Sequence, residues 1–208
     1  MNVVMNDLIQ VIRVLNESEL EIVNNHIDTL EFSKSSVFNY NDNKTGSDIR
    51  EDVRTSTGTT LNENQKATEL LHSKINSSLE EYSRRIINYH KNFSYYPAPC
   101  GIDTTCWREG IQVLEYRDGQ EYVFHHDCAT DPTIREYERK VSVILYLNTD
   151  FAGGNTAFAH KEYKPSAGEA LIFPSNWCYP HAGTPVTNGT KRVAVTWYYV
   201  DHVLHNNS

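Results

Sequence analysis

A chain of 208 residues, 39% hydrophobic and 22% charged, can bury one sizeable core and is short for two independent domains. Its net charge of −8 with histidine neutral is the wrong sign for a general phosphate-backbone binder. No Lys/Arg cluster offers a local basic groove, so no nucleic-acid partner is expected. No apolar run approaches the roughly 18 residues of a membrane-spanning helix, so no membrane partner is expected either.

The opening MNVVMNDLIQVIRVL places Asp7 and Arg13 where a secretory signal would need apolar residues, and no basic stretch precedes it. A cytoplasmic location is the expectation. In that setting Cys100, Cys106, Cys128 and Cys178, none in a CxxC pair, read as reduced thiols.

Along the chain, VIRVLN (11–16) is β-branched and apolar and reads as a strand. A helix follows, capped by Asn16 or Ser18, with Leu20, Ile22, Val23 and Ile27 at near-helical spacing. Residues 35–60 are rich in Asn, Asp, Ser, Thr and Gly, which predicts either a solvated connection or a loop that covers a substrate. Residues 62–91 lack Gly and Pro and repeat apolar groups at 67, 70, 71, 75, 79, 82, 86 and 87, the pattern of a long helix packed on a sheet.

Beyond Gly101 the period changes to two. IQVLEY, a turn at Asp118–Gly119, and EYVFHHD read as a hairpin, and KVSVILYLN, EALIFP and KRVAVTWYYV as further strands. Strands and helices do not alternate after residue 110, so an antiparallel sandwich or barrel behind N-terminal helices is favoured over a parallel sheet. The expected organisation is one domain over 1–208: an N-terminal region, 1–100, with a flexible loop at 35–60, and a β core over 101–202.

Chemistry enters at FHHD, residues 124–127. Strand alternation sends His125 and Asp127 to one face and His126 to the other. His-x-Asp plus one distant histidine makes the two-histidine, one-carboxylate triad, which leaves three metal positions open and suits non-haem Fe(II). Of His160, His181, His202 and His205, only His181 follows a strong strand, EALIFP, and precedes a hairpin signal at Asn188–Gly189. In KRVAVTW, alternation places Lys191 with Val193, Val195 and Trp197 on one apolar face. A buried lysine requires a carboxylate, which a ligand or an internal Asp or Glu could equally provide. A lone His-x-Asp is common in polar loops, and Tyr116 alone could be a core aromatic; the signal lies in the combination.

That combination resembles the prolyl 4-hydroxylase family of Fe(II)- and 2-oxoglutarate-dependent dioxygenases, in its compact algal, bacterial and viral form, over most of the chain and most strongly from Val53 onward. The family motif Tyr-x-x-Gly-Gln-x-Tyr-x-x-His-x-Asp stands here as YRDGQEYVFHHD, and its distal His, Pro-Val, Gly and Lys as HAGTPVTNGTK. YLNTDFAGGNTAF is similar to its Tyr-Leu, Gly-Gly-Glu-Thr and Phe segment, with Asn155 in place of the usual glutamate and only a local change expected.

The resemblance implies an α+β fold with a double-stranded β-helix (jelly-roll, cupin-like) core and N-terminal helices packed on one sheet. It implies iron on His125, Asp127 and His181, and Lys191 on the distal carboxylate of 2-oxoglutarate with help from the Tyr116 and Thr156 hydroxyls. Fe(II), 2-oxoglutarate and O2 are the implied cofactors, with ascorbate as reductant. A proline-containing peptide is the implied partner, hydroxylated at the 4-position while 2-oxoglutarate is decarboxylated to succinate and CO2. Arg54 and Ser56 in VRTSTGTTL, with Glu109, Arg139 and Trp197, fall where the family has groove residues; as bare residues they read as surface charges and core filler. The segments 35–60 and 128–138 are candidate lids. Competing readings are a same-class oxygenase acting on a free amino acid, a lysyl side chain or a nucleobase, a non-catalytic β-sandwich binding module, and a zinc hydrolase on a cupin-like barrel.

Overall fold

The structure is a computed structural model that describes residues 8–39, 46–89, 106–130, 132 and 135–200. Strand β1 (Gln10–Arg13) leads into helix α1 (Glu17–Ile27). Asn16 is the cap: its Oδ1 accepts from the Glu19 amide at 2.9 Å while the Glu19 carboxylate accepts from the Asn16 amide at 3.0 Å. Such a reciprocal box contributes about 1 kcal/mol and sets where the helix begins. Val23 and Ile27 are buried, whereas Ile22, expected on the apolar face, points to solvent.

The segment expected as an open loop, 35–60, carries three short strands, β3 (Val37–Asn39), β4 (Gly46–Asp48) and β5 (Thr57–Thr60), and β2 (Ser33–Lys34) comes just before it. Two of them, β3 and β4, pair with each other, and β5 pairs with both β2 and a core strand. Residues 40–45 of this segment lie outside the described residues. Its polar Ser/Thr/Gly composition masks the strands because their partners are distant in sequence and half their side chains face an open groove.

Helix α2 (Lys66–Tyr89) starts four residues later than periodicity suggested. It buries Ala67, Leu71, Ile75, Leu79, Tyr82 and Ile86, as the spacing predicted, with Leu70 half-buried; Ile87 lies among residues whose side chains are not described. Each large apolar side chain so buried contributes about 1.5–3 kcal/mol.

The remaining strands are β6 (Cys106–Arg108), β7 (Gln112–Tyr116), β8 (Tyr122–His125), β9 (Arg139–Tyr146), β10 (Phe151–Gly153), β11 (Thr156–Phe158), β12 (Lys161–Tyr163), β13 (Glu169–Pro174), β14 (His181–Gly183), β15 (Val186–Gly189) and β16 (Lys191–Val200). They form a large sheet in the order β1-β13-β9-β16-β7-β5-β2 with β6 beside β16, a four-stranded sheet β12-β11-β14-β8, and a β10–β15 pair. Every paired strand is antiparallel.

Alternation gives the large sheet two apolar faces. Val113, Val143, Leu145, Ile172 and Ala194 pack on α1 and α2, while Leu114, Tyr146, Phe173, Val193 and Val195 form a second core with Phe158 of the small sheet. Helices on one face and a second sheet on the other make the α+β jelly-roll that was expected.

Both hairpin expectations are corrected. Gly119 and Gly189 do adopt the left-handed backbone their turns require, at φ 76° and 80°. Yet β7 lies in the large sheet and β8 in the small one, and β15 pairs with β10 while β16 joins the large sheet. Turn chemistry reverses the chain; the sheet the next strand joins depends on distant partners. Among the described residues no helix is long and apolar enough to cross a membrane.

Candidate active site

Cross-strand register in the small sheet sets His181 of β14 directly opposite His125 of β8, their rings 4.4 Å apart. Asp127 completes the cluster, but not by strand alternation. Strand β8 ends at His125, and Asp127 sits in the bend beyond it. The Ser175 carbonyl, just past β13, accepts from both the Asp127 and Cys128 amides at 3.1 and 2.9 Å. A tertiary bond thus does what a longer strand was expected to do.

The donor set fits a metal. Each histidine donates Nδ1–H to the carbonyl two residues before it, His125 to Val123 at 2.8 Å and His181 to Tyr179 at 3.2 Å. A carbonyl can only accept, so Nδ1 carries the proton and Nε2 presents its lone pair. Both Nε2 atoms face Asp127, at 3.3 and 3.7 Å from its carboxylate oxygens. Neighbouring ligands around a first-row metal lie roughly 3 Å apart at bond lengths of about 2.0–2.2 Å. The ligand atoms of His125, Asp127 and His181 all fall within 4.8 Å of one another.

Electrostatics suits the same role. Burial opposes the Asp127 carboxylate, but His181, His125 and the Ser142 hydroxyl together hold its pKa well below the usual carboxylate range. Burial drives His181 down to about 4 against the pull of Asp127, so its ring is neutral at physiological pH. Tyr122 stacks on His125 at 3.6 Å, and Phe173 meets His181 edge-on at 4.8 Å, which holds both rings in place. His126 stands apart, its Nδ1 bonded to the Cys128 carbonyl at 2.6 Å, and it faces the outer groove.

Behind the triad lies a chamber of about 50 Å3 between the sheets. Its far end holds Lys191, buried and directly opposite Tyr116 in the register of β16 and β7. Lys191 Nζ lies 5.4 Å from the Tyr116 ring and 5.0 Å from the Tyr146 ring. Among the described residues it has no carboxylate partner, so the internal Asp or Glu considered above is not there. Burial, with Lys164 nearby, lowers its pKa to about 7. Burial raises the pKa of Tyr116, whose hydroxyl is bonded to Ser56, and Tyr146 and Thr156 share a hydroxyl bond of 2.7 Å. Tyr116, Thr156 and Lys191 all line the chamber.

In front of the triad opens a groove of about 810 Å3, lined among others by Arg54, Thr59, Tyr122, Arg139 and Trp197. Much of its wall comes from the described parts of the 35–60 segment. Arg139 and Glu109 form a two-pronged ion pair of 2.5 and 2.8 Å, and the guanidinium lies 3.8 Å above the Trp197 ring. Glu109 therefore meets Arg139 rather than lining the groove itself. Ser56 bonds the Ser35 hydroxyl at 2.9 Å behind the groove wall. Of the other candidate lid, 128–138, residues 131, 133 and 134 are outside the described set, and Cys128 Sγ is tied to the Tyr137 carbonyl at 3.1 Å.

Sequence reasoning did not single out Ser142, Ser175, Tyr122 or Tyr146. The signal for Ser142 was present: the one serine within the apolar run VSVILYL, on the face that carries Tyr146. The Asn155 side chain donates to Glu162 at 2.7 Å, and its amide donates to the Thr184 hydroxyl at 2.8 Å. Cys128 and Cys178 form no disulfide, Cys100 is outside the described residues, and the side chain of Cys106 is likewise not described.

Comparison with known proteins agrees with this geometry. Residues 111–199 match the family model described as the 2OG-Fe(II) oxygenase superfamily. An Acanthamoeba polyphaga mimivirus protein named "Putative prolyl 4-hydroxylase" is 37% identical over 107 residues, covering 43% of this chain and 44% of its own. "Probable prolyl 4-hydroxylase 8" of Arabidopsis thaliana is 30% identical over 189 residues, covering 76% and 58%. The chain thus spans about half the length of these curated relatives. The viral collagen prolyl hydroxylase of Paramecium Bursaria Chlorella virus-1, solved with 2OG, shares the fold with a TM-score of 0.60 at 22% identity, over 92% of this chain and 95% of that one.

Proposed function

We propose that this chain, whose residues 111–199 form a 2OG-Fe(II) oxygenase domain, is a prolyl 4-hydroxylase: it hydroxylates peptidyl proline at the 4-position and converts 2-oxoglutarate to succinate and CO2. We read residues 1–208 as one domain in the service of that reaction. The observation that carries the reading is the convergence of His125, Asp127 and His181 above a buried Lys191 that has no carboxylate of its own among the described residues.

In this reading His125 Nε2, His181 Nε2 and one Asp127 oxygen would hold Fe(II). The chemistry that Fe(II) and 2-oxoglutarate supply when bound is activation of O2 coupled to oxidative decarboxylation, with ascorbate as the reductant that maintains the metal. Lys191 pairs with the distal carboxylate of 2-oxoglutarate, which restores a full positive charge to a buried amine at the expense of no protein acid. The Tyr116 hydroxyl and the shared Thr156–Tyr146 hydroxyls complete that end. Ile144, Val193 and Val195 line the chamber and keep water from the reacting carbon. Arg54, Ser56, Trp197 and Arg139, the last held by Glu109, orient the peptide so that its proline reaches the open side of the triad. We place the protein in the cytoplasm.

The test is conversion of 2-oxoglutarate to succinate, dependent on a proline-containing peptide, together with a gain of one oxygen atom in that peptide by mass spectrometry. His181→Ala abolishes both. An unchanged rate in that variant overturns the site assignment, and metal-dependent activity without O2 turns the reading towards a hydrolase.

A further inference from the structure

Three arginines line the groove, and two have carboxylate partners: Arg139 with Glu109, and Arg50 with Asp52. Arg54 has none among the described residues. It is buried, with 8% of its surface exposed, and its Nε makes no hydrogen bond. It lines both the outer groove and the inner chamber, at the point where they meet.

Its neighbours offer no counter-charge. The guanidinium sits 5.2 Å from the ring centroid of Tyr122, the residue stacked on His125, and is hydrogen-bonded to the Tyr122 hydroxyl. Asp127, which lines the same chamber, is committed to His125, His181 and Ser142. An isolated backbone bridge between residue 54 and Tyr122, and the bond from the Val123 amide to the Val53 carbonyl at 3.0 Å, fix Arg54 to the strand that carries His125. The cation is therefore held beside the triad by the backbone, independently of any ion pair.

A buried guanidinium without an anion is costly, and its planar fork matches a carboxylate in two-pronged geometry. Lys191 occupies the other end of the chamber and already accounts for the distal carboxylate of 2-oxoglutarate. A second anionic group remains to be supplied, and the groove is the route by which it arrives.

We propose that Arg54 is a carboxylate-binding subsite, so that the preferred substrate is a proline-containing segment carrying a carboxylate next to the oxidised residue. An acidic side chain or a free chain terminus would each supply that group. The proposal rests on the hydroxylase reading for its substrate, but its test does not depend on turnover.

Three matched peptides decide it: a proline with neutral neighbours and an amidated end, the same peptide with one glutamate beside the proline, and the same peptide ending in proline with a free carboxylate. Binding of each is measured by calorimetry on the chain loaded with Mn(II) and 2-oxoglutarate, for the wild type, Arg54→Gln and Arg54→Lys. One of the two carboxylate peptides is expected to bind about ten- to a hundredfold more tightly than the neutral one, the range of a charge-assisted hydrogen-bond pair. Which of the two does so identifies the source. The gap collapses in Arg54→Gln and survives in part in Arg54→Lys. Equal binding of all three peptides by the wild type overturns the subsite, as does an unchanged gap in Arg54→Gln. So does a loss of 2-oxoglutarate binding in Arg54→Gln as large as the loss of peptide binding, since Arg54 would then serve the cosubstrate. Absence of hydroxylation with the binding gap intact would instead overturn the hydroxylase reading and leave the subsite standing.

Discussion

Ser142 Oγ donates a 2.6 Å hydrogen bond to Asp127 Oδ2 and lies 2.8 Å from Ser175 Oγ. Ser142 and Ser175 are both buried, one on β9 and the other just past β13, and the Ser175 carbonyl also receives the Asp127 amide at 3.1 Å. The large sheet thus grips the only carboxylate of the triad, while the two histidines stand on the small sheet and are oriented by their own backbone. Because this bond aims the ligand, Ser142→Ala should weaken metal binding about 10- to 100-fold, as loss of such an orienting partner does. Titration with Mn(II) or Co(II) reads this directly, and Ser142→Thr should recover part of it. Unaltered metal affinity in Ser142→Ala would show that the bend after β8 positions Asp127 unaided.

The two adjacent histidines should separate cleanly. His125→Ala should lose the metal, whereas His126→Ala, whose ring is tied to the Cys128 carbonyl and faces the groove, should retain it. Metal content by elemental analysis after gel filtration distinguishes them, and the reverse pattern would refute the triad.

If Lys191 holds 2-oxoglutarate as proposed, cosubstrate binding should depend on pH. Its amine titrates near 7 in the free chain and is charged when paired, so binding takes up a proton above that pH. The dissociation constant for 2-oxoglutarate should rise about tenfold per pH unit above 7 and level off below it. The same group acts on stability with the opposite sense of benefit. Its folded pKa lies below the unfolded value, so the unfolded chain holds the extra proton between about 7 and 10.5. The penalty is therefore full at and below pH 7 and fades as pH rises through that window. Lys191→Met should raise Tm most at pH 7 and below, with a gain that shrinks towards pH 10, while abolishing 2-oxoglutarate binding. Melting curves across pH, with and without 2-oxoglutarate, test both halves.

Glu109 should act through Arg139. Glu109→Gln removes the charge that holds a largely buried guanidinium over Trp197 and costs about 1.5–3 kcal/mol of stability. Peptide KM should rise with little change in the KM for 2-oxoglutarate. In a double-mutant cycle with Arg139→Ala, the two effects on peptide KM should be far from additive; additive losses would mean that each residue touches the peptide separately.

Much of the site was legible in the sequence because its parts lie in short, strongly patterned segments. The FHHD stretch, the lysine in KRVAVTW and the histidine after EALIFP all rest on local residue type and spacing. The helices were legible for the same reason: the Asn16 cap and the apolar spacing of 67–86 are properties of a few consecutive residues. The strands within 35–60 were not, because polar residues form strands only when distant partners, here β5 against β7, offer a ladder. Asp127 shows the limit within the site itself: its side was inferred from strand alternation, yet it lies beyond the strand.

What the sequence determined by itself, then, was a candidate set of side chains for the proposed chemistry: two histidines, one aspartate and one lysine in a face of valines. What only the tertiary structure decided was how they are held and what they lack. The sheet each strand joins, the Ser142 and Ser175 grip on Asp127, and the absence of a carboxylate beside Lys191 or Arg54 among the described residues all depend on groups far apart in the chain. Local periodicity fixes the direction of a side chain relative to its own backbone, whereas its partners are chosen by long-range pairing and burial, which no short window of residues encodes.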